Sequence, residues 1–64
     1  MKLKEYRNSN VFKVADVVKY YDEDGNELEL PSTEVQRRKF YNKEIVDHGT
    51  MIDTGIATLE VYLK

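Results

Sequence analysis

The side chains best suited to chemistry in this sequence lie around a single histidine. His48 is flanked by Asp47 and Gly49, and Asp53 follows five positions later. An imidazole beside a carboxylate could serve as a general base or as a metal ligand. However, no nucleophile lies beside His48 in the sequence, and the chain has no cysteine and no second histidine to complete a metal site. We therefore predict no catalytic residue, no metal ligand set and no cofactor, and we expect His48 to face solvent or end a strand.

The segment Asp53-Thr54-Gly55 is similar to the Asp-Thr-Gly motif of retroviral-type aspartic proteases, because apolar residues stand on both sides of it. That chemistry needs two carboxylates that share a proton, and most of a β domain after the motif. Only residues 56–64 follow here. We therefore interpret the segment as a tight turn in which Gly55 adopts positive φ.

An acidic segment raises the question of a calcium loop. Its oxygen-bearing side chains stand at alternate positions, namely Asp22, Asp24 and Asn26. An EF-hand loop needs glycine at its sixth position and glutamate at its twelfth. A loop that starts at Asp22 has Glu27 sixth, and one with Gly25 sixth has Pro31 twelfth. Neither register fits, so the segment indicates an ordinary acidic hairpin turn.

One cluster combines cationic and aromatic side chains, and it supplies the candidate binding residues Arg37, Arg38, Lys39, Phe40 and Tyr41. Such residues can contact phosphates and stack on bases, or bind an acidic protein surface. They could equally form a solvated helix surface with Phe40 or Tyr41 in the core. Ten basic and twelve acidic residues give a net charge of −2. Because nucleic-acid-binding proteins usually carry excess positive charge, a protein partner is the first expectation and nucleic acid the alternative.

Length and composition define the class of protein. The 64 residues are 41% hydrophobic and include no cysteine, which predicts one small domain over 1–64 without disulfides. A core of this size is marginal, so a homodimer would add needed burial. No apolar run approaches the length of a membrane span, and no apolar segment follows the basic start. We therefore expect a cytoplasmic protein.

Two β-hairpins are predicted. Residues 11–21 are rich in residues that favour strands, Gly25 suits the turn, and residues 27–30 alternate until Pro31. Residues 58–63 alternate so that Leu59, Val61 and Leu63 share one face. Their partner strand is expected to contain Ile45-Val46 and Met51-Ile52 and to bend near Gly49.

A short helix is predicted between the hairpins. Thr33 is a suitable N-cap with Gln36 three residues later, which favours a helix over 33–41 with an apolar stripe of Val35, Phe40 and Tyr41. An extended run from Phe40 into Ile45 is the alternative. Residues 1–8 are predicted to form a helical turn or an edge strand.

The predicted architecture is therefore α+β, with two antiparallel hairpins forming a small sheet and one short helix on one face. An all-β meander or small barrel is the alternative. Either arrangement leaves a free edge strand, and proteins normally protect or pair such an edge. An edge-to-edge or face-to-face homodimer would do so.

Four stretches, MKLKE, KYYDEDGNELEL, NKEIVD and TLEVYLK, give the chain a layout that resembles small uncharacterised proteins of phages and prophages of low-GC Gram-positive bacteria. The resemblance implies a small accessory protein without an enzyme site. We therefore expect a non-enzymatic binding or regulatory protein that acts through protein contact, for example by inhibiting a host or defence protein. The alternative is weak nucleic-acid binding through residues 37–41.

Overall fold

The computed structural model describes residues 1–64 and has three helices and four strands. The elements in chain order are α1 (Leu3–Tyr6), α2 (Asn10–Val14), β1 (Val17–Tyr21), β2 (Glu27–Leu28), α3 (Glu34–Tyr41), β3 (Ile45–Asp53) and β4 (Ile56–Leu63). This composition confirms the predicted α+β class.

The four strands form one open mixed sheet in the order β2-β1-β4-β3. The antiparallel pairs β1–β2 and β3–β4 are the two predicted hairpins. They are joined by parallel pairing of β1 with β4, which sets Val18 beside Leu59 and Tyr20 beside Val61. The sheet does not close, so the alternative of a meander or barrel was wrong.

The core lies on one side of the sheet. Its buried members are Leu3, Tyr6, Phe40, Leu59, Val61 and Leu63. The three β4 members alternate along the strand and therefore share a face, as predicted. The helices α1 and α3 cover that face with Leu3, Tyr6 and Phe40.

The first predicted strand began too early. Residues 10–14 form α2, because the Ser9 side chain accepts a hydrogen bond from the backbone N–H of Phe12 (3.3 Å) and caps the helix. Phe12 also packs against the core. Tertiary contact and the cap thus outweigh the strand preference of Val11 and Val14. The second strand also ends earlier than predicted, at Leu28.

The helix between the hairpins is confirmed. The Thr33 hydroxyl accepts a hydrogen bond from the backbone N–H of Gln36 (3.3 Å), and the helix extends to Tyr41. The predicted apolar stripe was wrong at Val35, whose side chain is 66% exposed. Residues five apart on an α-helix differ by about 140° in direction, so Val35 cannot share the face of Phe40.

The second hairpin turns at Thr54 and Gly55, which have φ values of 50° and 82°. Positive φ at two central residues matches a type I′ turn, whose twist suits a hairpin. The predicted bend near Gly49 is displaced, because the register shift lies between Ile45 and Asp47. At the other end of the chain, the helical turn predicted within residues 1–8 is α1 (Leu3–Tyr6), and Lys2 makes an isolated bridge with Glu44.

Substitution of Gly55 by alanine is expected to lower the free energy of unfolding by about 1 kcal/mol, because a Cβ is strained at positive φ. Gly49→Ala is the matched control, since Gly49 lies outside that region and an added Cβ would have nothing within 4 Å. Urea denaturation measures both. Equal effects at the two positions would contradict the turn assignment.

Candidate functional site

The face of the sheet opposite the helices carries a second set of apolar side chains. Because strand residues alternate, the β4 positions between the core residues point away from the helices. The apolar and aromatic members of this face are Val17, Tyr21, Met51, Ile56 and Tyr62. With the charged residues Lys19, Glu27, Asp47, Asp53 and Glu60, they define what we call the open face.

Two tyrosines form the aromatic part of the open face. The rings of Tyr21 and Tyr62 stack with centroids 5.1 Å apart and an interplanar angle of 23°. The neighbouring Tyr20 points to the core, where its ring packs edge-to-face on Phe40 with centroids 5.0 Å apart. The two adjacent tyrosines thus face opposite sides of the sheet. Tyr21 and Tyr62, both half-buried, form an aromatic surface within the sheet.

Aliphatic and thioether side chains form a second apolar group on the open face. Val17 is 41% exposed, Met51 is 58% exposed and Ile56 is 49% exposed. Met51 and Val17 both lie beside Thr58 of β4, on either side of it. Val17, Met51 and Ile56 therefore form one group around Thr58, which Lys19 and Glu60 separate from Tyr21 and Tyr62. Grouped exposed apolar side chains are typical of an interaction surface.

The charges of the open face are mostly negative. Its four carboxylates are Glu27, Asp47, Asp53 and Glu60, and its one cation is Lys19, which lies beside Glu60 in the register. The pKa of Tyr21 is raised above its ordinary value, first by desolvation and then by the Glu60 and Glu27 carboxylates. Tyr21 therefore keeps its phenol proton and can donate a hydrogen bond from an apolar, acidic surface.

The cationic part of the predicted cluster lies on the exposed side of α3. Arg37 Nε donates to the carbonyl oxygen of Pro31 (2.6 Å), and Arg38 Nη2 donates to Glu34 Oε1 (2.8 Å). Lys39 is exposed, and its ammonium group makes no hydrogen bond or ion pair within the chain. Two of the three cations thus already have local partners.

The aromatic part of the cluster is divided between core and surface. Phe40 is only 5% exposed, so its ring is not accessible to a stacking ligand. Tyr41 is half-buried and carries the Arg7 guanidinium over its ring at 4.1 Å from the centroid. The sequence analysis missed Arg7, because it comes from the far end of the chain. Its pairing with an aromatic ring depends on the packing of α1 against α3.

His48 and its acidic neighbours are not assembled for acid–base chemistry. Asp47 and His48 are consecutive on β3, so their side chains point to opposite faces. Asp47 Oδ1 accepts from the backbone N–H of His48 (2.8 Å), and the imidazole ring packs 5.2 Å from the Tyr6 ring. Asp53 lies at the far end of β3, in the hairpin turn.

The acidic turn of the first hairpin is organised by its own amides. Asp22 Oδ1 accepts from the backbone N–H groups of Asp24 and Asn26, both at 2.9 Å. These bonds, with that of Asn26 foremost, hold the pKa of Asp22 below its ordinary value. Gly25 takes the positive φ of 87° that the turn requires. The chain contains no group of three His, Asp or Glu side chains placed to hold a metal ion.

Comparisons with family models, curated proteins and solved structures gave no match. The surface holds no pocket. None of the helices has the length and apolar character needed to cross a membrane. The open face is therefore our candidate functional site on structural grounds alone.

Proposed function

We propose that this protein is a non-enzymatic binding or regulatory protein of the cytoplasm and that it contacts a protein partner through the open face. The observation that carries the proposal is the stacked pair of Tyr21 and Tyr62 on a sheet face without helices, which also carries the exposed group of Val17, Met51 and Ile56. Tyrosine and methionine are enriched in protein interfaces, and a sheet holds them with little loss of entropy on binding.

The charges of the open face define the chemistry of the partner. Glu27, Asp47 and Asp53 lie at the edges of the open face, and Lys19 and Glu60 lie between its aromatic and aliphatic groups. A complementary surface therefore has a rim rich in Lys and Arg and a cation that faces Glu60 between two apolar contacts. Such a rim also speeds association by electrostatic steering. The partner that we propose is a protein with a basic-rimmed apolar patch.

A specific form of this proposal is an accessory protein of phage origin that inhibits a host or defence protein. The four sequence stretches that resemble small phage and prophage proteins support it, together with the small size of the chain. Blocking a partner needs only a stable surface, which a domain without an assembled catalytic group can provide.

Affinity capture from bacterial lysate tests the proposed function. We expect the wild type to retain a stoichiometric protein partner, and we expect a charge introduced into the open face to abolish retention. The same charge on α3, at the exposed Val35 position, should have no effect. Retention that is independent of the open face would contradict the proposal.

A second candidate function is weak nucleic-acid binding by the helix side of the molecule. The observation that favours it is Arg7, which adds a cation to residues 37–41 through its contact with Tyr41. This candidate predicts that single- or double-stranded oligonucleotides bind at about 50 mM salt and that affinity falls at least about tenfold by 200 mM. Fluorescence anisotropy measures both. An Arg7→Ala variant that binds as well as wild type would remove the support that the structure gives.

A further inference from the structure

The two edges of the sheet differ in their capacity to pair with another strand. β2 contributes only Glu27–Leu28, and it is followed by Pro31, which lacks a backbone donor. β3 runs for nine residues and pairs with β4 on one side. On its other side, Ile45 donates its backbone N–H to the carbonyl oxygen of Met1 (2.9 Å), and the strand from Asp47 to Asp53 has no neighbour. At about 3.4 Å per residue β3 spans roughly 30 Å, and the longest dimension of the molecule is 35 Å. Each chain therefore has one long free edge.

We propose that the free edge of β3 pairs antiparallel with β3 of a second copy, about a two-fold axis at Gly49. The product is a dimer with a continuous eight-stranded sheet. This inference does not rest on the proposed function, since it concerns the edge of the sheet rather than its open face. In the dimer, however, the two open faces lie on the same side of the joined sheet.

The sequence of β3 selects this register. A two-fold axis perpendicular to the sheet keeps the open face of both copies on the same side. Residues that pair across the axis must therefore point to the same face, so their numbers differ by an even number. With Gly49 on the axis, Asp47 lies opposite Met51 and His48 lies opposite Thr50. The pairing does not extend to Ile45, because β3 is bulged between Ile45 and Asp47 and the Ile45 backbone N–H donates to the carbonyl oxygen of Met1 (2.9 Å). The next such register, with Thr50 on the axis, sets Asp47 opposite Asp53 and is penalised by like charges.

The same strand argues for a second copy over a flexible peptide. A peptide loses conformational entropy when it becomes a strand, whereas β3 of a second copy is already extended and of equal length. Gly49 has open space where a Cβ would be, so two chains can approach closely at the axis. Because each copy offers one usable edge, the pairing closes at two chains instead of growing into fibres.

The register with Gly49 on the axis predicts opposite effects on the dimer Kd for an acidic and a basic residue at position 51. Met51 is 58% exposed and lies opposite Asp47 of the second copy in the proposed pairing. Met51→Glu places an acid against that aspartate twice in the dimer, and Met51→Lys places a base there twice. We expect Met51→Glu to raise the dimer Kd about tenfold or more and Met51→Lys to leave it unchanged or lower it.

Sedimentation velocity over a concentration series measures the dimer Kd of the wild type and both variants. Val35→Glu and Val35→Lys make the same changes in net charge on α3, and both should retain the wild-type Kd. Circular dichroism checks that all variants are folded, and Tyr62→Arg, on the open face, should still dimerise. A wild type that stays monomeric up to about 1 mM would overturn the proposal. Equal effects of Met51→Glu and Met51→Lys would also overturn it.

Discussion

Replacing Phe40 with alanine is expected to lower the free energy of unfolding by about 3–5 kcal/mol. Phe40 is the only side chain that α3 contributes to the buried core, and its ring packs edge-to-face on Tyr20. A domain of this size has only about 3–5 kcal/mol of stability in total. We therefore expect Phe40→Ala to be largely unfolded at 25 °C, as measured by urea denaturation and far-UV circular dichroism.

Lys39→Ala is the control for this experiment. Lys39 precedes Phe40 on α3 and is exposed, so its removal should change stability by no more than about 0.5 kcal/mol. The comparison of Phe40→Ala with Lys39→Ala tests whether Phe40 is a core residue or part of a binding surface, the two roles that the sequence allows. A Phe40→Ala protein that melts like the wild type would show that the ring is not part of the core.

Replacing Tyr62 with arginine is expected to weaken binding to the protein partner at least about 30-fold, the effect of losing an interface anchor worth about 2 kcal/mol. Tyr62 stacks on Tyr21 at the centre of the aromatic surface. Arginine removes the phenol and adds a positive charge that opposes the basic rim expected of the partner. Its planar guanidinium can still stack on Tyr21, so the sheet should be preserved.

Val35→Arg is the matched control for Tyr62→Arg, because it makes the same change of charge on the opposite side of the molecule. Isothermal titration calorimetry with the captured partner gives both affinities, and thermal melts show whether either variant is destabilised. If Val35→Arg weakens binding as much as Tyr62→Arg, net charge and not the open face determines the affinity.

The local parts of the fold could be predicted from the sequence. Gly25, Gly55 and the alternation of Leu59, Val61 and Leu63 are short-range signals, and they identified both hairpins. Thr33 identified the start of α3 in the same way. The parallel pairing of β1 with β4 has no such signal, because it depends on contacts between residues about 40 positions apart. The α2 helix was missed because a single Ser9 cap outweighs a run of strand-forming residues.

The candidate site was harder to predict from the sequence than the fold. Alternation shows that Tyr20 and Tyr21 point to opposite faces, but only the packing of α1 and α3 determines which face is covered. That packing buries Phe40 and leaves Tyr21 and Tyr62 half-buried on the opposite face of the sheet. It also brings Arg7 to Tyr41, which no spacing in the sequence indicates. The interaction surface is thus a product of tertiary structure and not of a linear motif.

The most direct test of a binding role for the open face is affinity capture from bacterial lysate with four baits. These are the wild type, Tyr62→Arg, Val35→Arg and a triple alanine variant of Arg37, Arg38 and Lys39. We predict that all baits except Tyr62→Arg retain one stoichiometric partner. This partner is expected to carry an apolar patch with a basic rim. Retention by Tyr62→Arg together with loss from the triple variant would contradict the account and assign binding to the helix side.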